Sequence, residues 1–404
     1  MHHRVRRAVI GTIAALFVPA LAHAEAPGSG TATDGAIELE GEAAPTTHDV
    51  VAAPPALPHA PSVVPPVAEK FTWEPFGFLR LQYRIVLNDP NVAFIGRSDG
   101  FELQNARVGV LGALGDRVRY VFAIEGAVDE RSHVNVPDGR LRVGLKDAFA
   151  DVALGGSLTV RAGYFETLVD PDLDAENQRD FVDYAIESRG VRSTEGYQAS
   201  GLTPGRSLGA ALRLAPIVTD ASGPKVGFEI AVQNGANEYA SDNDNDTPAA
   251  SASVFARLAN QGWVVASARF NRRTVDELPQ QKDEDDLQAT LGAKIFAGPV
   301  GIGVGAAFVR TMFPTTGGPV ENAYGAHAQL MIKTGTRLAV GYRFGILDPS
   351  SLFVTDRVME HTAGVVLAVP AYRMRVHVQV THVAEQGARA LTNDRAQLAA
   401  ELAL

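Results

Sequence analysis

The sequence predicts an all-β fold, a transmembrane antiparallel β-barrel of sixteen strands with short turns at one end and long loops at the other. Three observations carry this. From Phe76 onward, segments of strand length alternate apolar and polar residues with period two. The connections alternate between long and tight. No stretch after the leader has eighteen consecutive apolar residues, so a transmembrane helix is not expected while the chain still presents many apolar faces.

The first element is a leader. His2, His3, Arg4, Arg6 and Arg7 make a basic start, Ala8 to Leu21 is apolar, and Ala22-His23-Ala24 supplies a small-x-small cleavage site. Residues 1–24 therefore read as a secretory signal peptide, the alternative being an anchor that is retained. Residues 25–70 hold Pro54-Pro55, Pro58, Pro61 and Pro65-Pro66 among alanines without periodicity. They read as a disordered periplasmic linker, with a tether or a lumen plug as alternatives. Residues 71–404 are the expected barrel.

Within it the expected strands are 76–87, 102–112, 117–127, 145–154, 157–165, 206–214, 225–233, 251–259, 262–270, 286–296, 299–309, 323–333, 336–345, 359–369, 371–383 and 393–404. A membrane strand needs about nine to eleven residues. Long connections follow the odd strands, the longest being 166–205. Tight ones follow most even strands, for example Gly155-Gly156, Ala297-Gly298, Thr334-Gly335 and Pro370, with 215–224 the one longer exception. Sorting long loops from short turns is the layout of a bacterial outer-membrane barrel, with its turns in the periplasm and its loops outside.

Alternation assigns the two faces. Leu79, Leu81, Tyr83 and Ile85 point one way, Arg80, Gln82 and Arg84 the other. Lipid must lie against the apolar face, because a sheet spans a membrane only when closed and apolar outside. The expected lumen face carries Arg80, Arg84, Arg107, Arg119, Arg161, Arg213, Arg257, Arg269, Lys294, Lys333, Arg337, Arg343, Arg373, Arg375 and Arg395. Against these fifteen bases stand five acids, Glu125, Asp147, Asp151, Glu229 and Glu401, an excess of ten positive charges. The whole chain has net charge −10, so the remaining acids are assigned to loops, among them Asp283 to Asp286.

So many bases cannot be buried dry, and a sixteen-stranded barrel is wide enough for water. The expected function is passive passage of small anions, with Arg80, Arg84, Arg107, Arg119, Arg161, Arg213, Arg269, Arg343, Arg373 and Arg375 lining the path. The loop at 166–205 carries Arg179, Arg189 and Arg192 among nine acids, and these three are the expected constriction bases. A general porin, a plugged structural barrel and a membrane hydrolase are the alternatives.

Other chemistry is thin. There are no cysteines, which removes disulfides and thiolate sites. Asp242, Asp244 and Asp246 begin like a calcium loop, but Thr247 and Ser253 stand where an EF-hand needs Gly and Glu. His327, His361, His377 and His382 have no ligand spacing, so no metal and no cofactor are expected, with His327 and His377 in the lumen. A hydrolase would need a pair such as His377 with Ser267, and no nucleophile motif supports one. The acidic balance argues against nucleic acid. Outer-membrane lipid and small anions are the expected partners.

Across roughly residues 75–404 the chain resembles the phosphate-selective porin O/P family. The pieces are Ala106-Arg107 with Gly109, Arg119-Tyr120-Val121, Asp147-Ala148-Phe149, Gly163-Tyr164-Phe165, Glu187-Ser188-Arg189, Pro204-Gly205-Arg206-Ser207-Leu208-Gly209, Asn234-Gly235, Gly341-Tyr342-Arg343 and Asn393-Asp394-Arg395. The resemblance implies a sixteen-stranded homotrimeric porin whose third long loop folds inward. The chain departs from the family pattern at Glu166, where a base is usual, at Gln104-Asn105, where a basic pair is common, and at Leu404, where an aromatic usually ends the chain.

Overall fold

The computed structural model describes residues 70–97, 99–126, 143–172, 179–214, 226–235, 242–258, 262–275, 281–313, 319–386 and 390–404. The expected leader and, but for Lys70, the expected linker lie outside the described residues.

The strands are β1 (Phe71–Val86), β2 (Gly100–Leu114), β3 (Val118–Glu125), β4 (Gly144–Gly155), β5 (Leu158–Phe165), β6 (Gly190–Val191), β7 (Ala199–Ser200), β8 (Ser207–Leu214), β9 (Val226–Gln233), β10 (Ala249–Arg257), β11 (Trp263–Val275), β12 (Lys282–Ala297), β13 (Val300–Met312), β14 (Val320–Lys333), β15 (Leu338–Asp348), β16 (Val358–Val369), β17 (Met374–Glu385) and β18 (Arg395–Ala403). All strands but β6 and β7, which pair antiparallel with each other, join antiparallel into one sheet in which β1 closes on β18 to give a sixteen-stranded barrel. The closing seam runs from Phe78 opposite Ala403 to Val86 opposite Arg395. Closure leaves no barrel edge unpaired, the condition for crossing hydrocarbon.

Sixteen strands match the expected count, and most ends agree within three residues. Three differences have physical causes. β1 starts at Phe71, because Phe71 and Trp73 keep the outward alternation past Pro75. β12 starts at Lys282, so Asp283 to Asp286 are strand residues and not loop acids. Arg272 and Arg273 on β11 hold Asp285 and Glu284 across the ladder at 2.7 and 3.1 Å. Between β16 and β17 a 3-10 turn spans Pro370–Tyr372, and Arg373 follows it in the left-handed region at φ 49°. Arg373 is thus an exposed turn residue, not a lumen strand residue.

The outer surface is apolar. Val108, Phe122, Ile230, Val254, Leu291, Ile302 and Val340 are among its exposed side chains. Aromatic residues gather toward the ends, as Phe71 stacked on Tyr120 at the turn side and Tyr83 edge-on to Phe101 at the loop side. An apolar band bounded by aromatic girdles is what a bilayer requires. Against it, the lumen face buries Arg80, Gln82, Arg84, Gln104, Glu229, Gln379 and Arg395.

Candidate functional site, the lumen and its loop

Between β5 and β8, residues 166–172 and 179–206 run into the barrel. The segment contains one helical turn, α1 (Ile186–Arg189), all of it buried. Gly190 follows at φ 74°, a conformation that favours glycine, and lets β6 turn back to pair with β7. The loop lies against wall positions that lack side chains. A Cβ at Gly325 of β14 would stand 2.5 Å from Glu187 Cβ, and one at Gly345 of β15 would stand 2.9 Å from Ile186. Gly292 of β12 is likewise pressed by Pro171, and Gly341 and Gly364 face Phe181. Neighbouring strands therefore leave a bare track on the lumen wall, and the loop occupies it. Ile186, Val191 and Leu202 complete a small apolar core with Ala307, Leu347, Val358 and Val383.

Polar contacts pin the loop across the bore. Arg343 of β15 donates to the carbonyls of Asp183 and Tyr184, both at 3.0 Å. The Val182 N–H donates to Gln379 of β17 at 2.9 Å, and Gln397 of β18 donates to Asp183 at 2.8 Å. Leu168 N–H donates to Glu229, Ser267 donates to the Leu168 carbonyl, and Lys294 meets Asp180 at 2.9 Å. His327 contacts Glu187. The segment thus touches the wall from β9 and β11 round to β17 and β18.

At its centre is a dense ionic network. Arg84 meets Glu195 at 2.8 Å and Glu102 at 3.1 Å. Arg189 meets Glu195 at 2.8 Å and Glu360 at 2.6 Å. Arg192 holds Glu102, and Arg395 holds Glu360 at 2.8 Å and Asp183 at 3.4 Å. Burial alone would raise the carboxyls of Asp183 and Glu195. The surrounding guanidinium groups of Arg395, Arg189 and Arg84 overcome this and hold both well below the usual carboxylate range.

A second group lies on β1, β17 and β18. Glu401 accepts from Arg80 at 2.5 Å and from Arg375 at 2.6 Å. Arg375 also donates to the Arg179 carbonyl at 3.3 Å, and the Arg179 guanidinium stacks 3.5 Å from the Tyr184 ring centre. His377 is buried beside them. Elsewhere on the wall Arg107 meets Glu125 at 2.9 Å, Arg161 meets Asp151 at 2.8 Å and Arg213 meets Glu229 at 2.7 Å. Arg206 bridges Asp147 and Glu166, so the acid at 166 answers a base from the other end of the loop.

The expected lumen residues divide accordingly. Arg80, Arg84, Arg107, Arg161, Arg213, Arg343 and Arg375 face inward and are engaged by wall or loop. Arg179, Arg189 and Arg192 do enter the lumen. Arg269 faces inward beside Asp286. Arg119 and Lys333 also lie on the inward face, are exposed and form no ion pair among the described residues, the Lys333 ammonium standing 5.9 Å from the Phe296 ring centre. Asp151, opposite Arg119 in the ladder, is taken by Arg161. Arg337 and Arg373 extend this exposed basic group at the turn end.

The expected excess of ten positive charges is therefore an overcount. Glu102 and Glu360 are inward acids that the reading of faces omitted: Glu360 lies at a lumen position of its strand, and a bulge at Gln104 turns Glu102 inward. The loop adds Asp180, Asp183, Glu187 and Glu195. Ser267 and His377 form no catalytic pair, since Ser267 is bound to Leu168 while His377 lies among arginines.

No family model matches the chain, and no curated protein matches it. Solved structures do. The outer membrane channel DcaP of Acinetobacter baumannii superposes with a TM-score of 0.57 at 13% identity, over 83% of this chain and 97% of that one. The anion-selective porin from Comamonas acidovorans gives 0.56 at 13%, over 83% and 100%. OmpT of Vibrio cholerae, an outer membrane protein also solved in a trimer form, gives 0.54 at 13%, over 83% and 99%. The fold is that of bacterial outer-membrane porins, and with its closed apolar belt it belongs in the outer membrane.

Proposed function

We propose that the chain is a non-enzymatic porin through which small anions, phosphate or similar, diffuse passively across the outer membrane. The observation that carries this reading is a set of exposed bases at the turn end that form no ion pair among the described residues: Arg119 on the lumen face of β3 and, across the bore, Lys333 on that of β14, with Arg337 just before β15. These charges meet solvent, raise the local anion concentration and need no desolvation to act. Arg80, Arg179 and Arg375 extend the basic path toward the constriction. The likeness to an anion-selective porin supports this direction.

A general, weakly selective porin is the second reading, and the ion pairing around Glu195 and Glu360 favours it. Salt-gradient measurements on bilayers separate the two, because the first predicts a reversal potential on the anion side. Adding phosphate then tests solute preference, since a phosphate site blocks chloride current. The same proposal includes a homotrimer, a leader cleaved after Ala24 and a periplasmic spacer at 25–70. Sizing in mild detergent and N-terminal sequencing of the mature protein test these.

A further inference from the structure

A cavity of about 420 Å³ opens at the loop end of the barrel, away from the basic group. One side is Tyr197 and Ala199 of the inward loop. The other is the connection between β15 and β16, with Phe353 and Asp356, and Val358 and Glu385 complete the lining. Tyr197 and Phe353 are both more than half exposed, so each offers an aromatic face to solvent. The lining contains two carboxylates and no Lys or Arg.

We infer that this cavity binds a small solute with a cationic amine head and an apolar or ring-shaped body. Three observations support it. First, the Oε2 of Glu385 is buried without a hydrogen-bond partner, while Oε1 accepts from Asn393 at 2.9 Å. A buried carboxylate oxygen left this way is costly, and a donor arriving in the cavity relieves it. Second, the local field asks for positive charge. Burial and the neighbouring Asp348 and Glu321 push the Asp356 carboxyl up. The adjacent base, Arg357, is directed to Asp348 at 3.0 Å and to Tyr324 at 2.6 Å. Third, two exposed rings beside two carboxylates suit an ammonium group, which is attracted by an aromatic face as well as by the acids. The apolar floor at Val358 and Ala199 takes the body of the solute. A cation held here sits at the opposite end of the bore from the anion-attracting bases, so the inference goes beyond the transport reading and does not need it.

The test is binding, not conduction. Ligand-detected saturation-transfer NMR on the full chain in detergent micelles is run with benzylammonium, benzyl alcohol and benzoate as probes. The cation binds, while the alcohol and the acid bind about tenfold more weakly or not at all. Glu385→Gln and Asp356→Asn each weaken the cation about tenfold. Phe353→Ala, on an exposed loop where folding is undisturbed, does the same. Equal binding of benzyl alcohol and the cation overturns the proposal. So does unchanged affinity in both carboxylate variants, with folding checked by heat-modifiable mobility on gels.

Discussion

Arg189, on the loop that enters the barrel, donates to Glu360 on β16 at 2.6 Å, and both side chains are buried. Glu360 also accepts from Arg395 of β18 at 2.8 Å, so one wall carboxylate ties the loop to two strands. Replacing Glu360 with Gln leaves two buried guanidinium groups short of charge compensation. Breaking a buried pair from one side costs about 3–5 kcal/mol. The variant should unfold at clearly lower urea in lipid vesicles, and it should show noisier, larger single-channel currents as the loop loosens.

The same network predicts resistance to acid. The carboxyls of Asp183 and Glu195 titrate lower in the folded chain than in the unfolded one. Their contribution is complete above the unfolded value, near pH 4, and is lost only as pH falls through the lower folded values. Conductance should therefore stay flat on acidification to about pH 4 and change only below it. Single-channel recording across a pH series checks this, and a step between pH 5 and 6 would oppose it.

The bare track on the wall predicts a steric effect. Gly345→Val places methyl groups where Ile186 already lies, and Gly325→Leu does so against Glu187. The loop cannot yield without giving up the contacts to Arg343 and Gln379. Each variant should keep the barrel, seen as heat-modifiable mobility, yet conduct more and become cleavable within 179–206 by added protease.

Neutralising the turn-end bases should change selectivity without changing stability. Arg119→Gln with Lys333→Gln removes two exposed charges that form no ion pair among the described residues. Surface substitutions of this kind usually alter stability by no more than about 0.5 kcal/mol. The chloride-to-potassium permeability ratio should fall, most strongly at low ionic strength, where screening is weakest.

The barrel was legible in the sequence because lipid on one side and water on the other force side chains to alternate. Strand count, loop sorting and the inward direction of Arg80, Arg84 and Arg107 all follow from that one constraint. Arg373 was misplaced because Val-Pro-Ala-Tyr-Arg continues the alternation through what is a turn. Glu360 was legible by parity, and counting it would have reduced the apparent charge excess, whereas Glu102 was not, because a bulge at Gln104 reverses the alternation between it and Arg107. The partners of the lumen charges were not legible. Arg80 and Glu401 are 321 residues apart, and Gln397 and Asp183 are 214 apart, joined only when the barrel closes and the loop enters. One signal was available and unused: glycines recur at lumen positions on β12, β14, β15 and β16, marking where a second layer must fit.

The reversal potential of a bilayer containing the purified protein, with a tenfold potassium chloride gradient across it, tests the central claim most directly. Anion passage through a basic lumen predicts a potential displaced toward the chloride equilibrium value. A potential displaced toward that of potassium would contradict it.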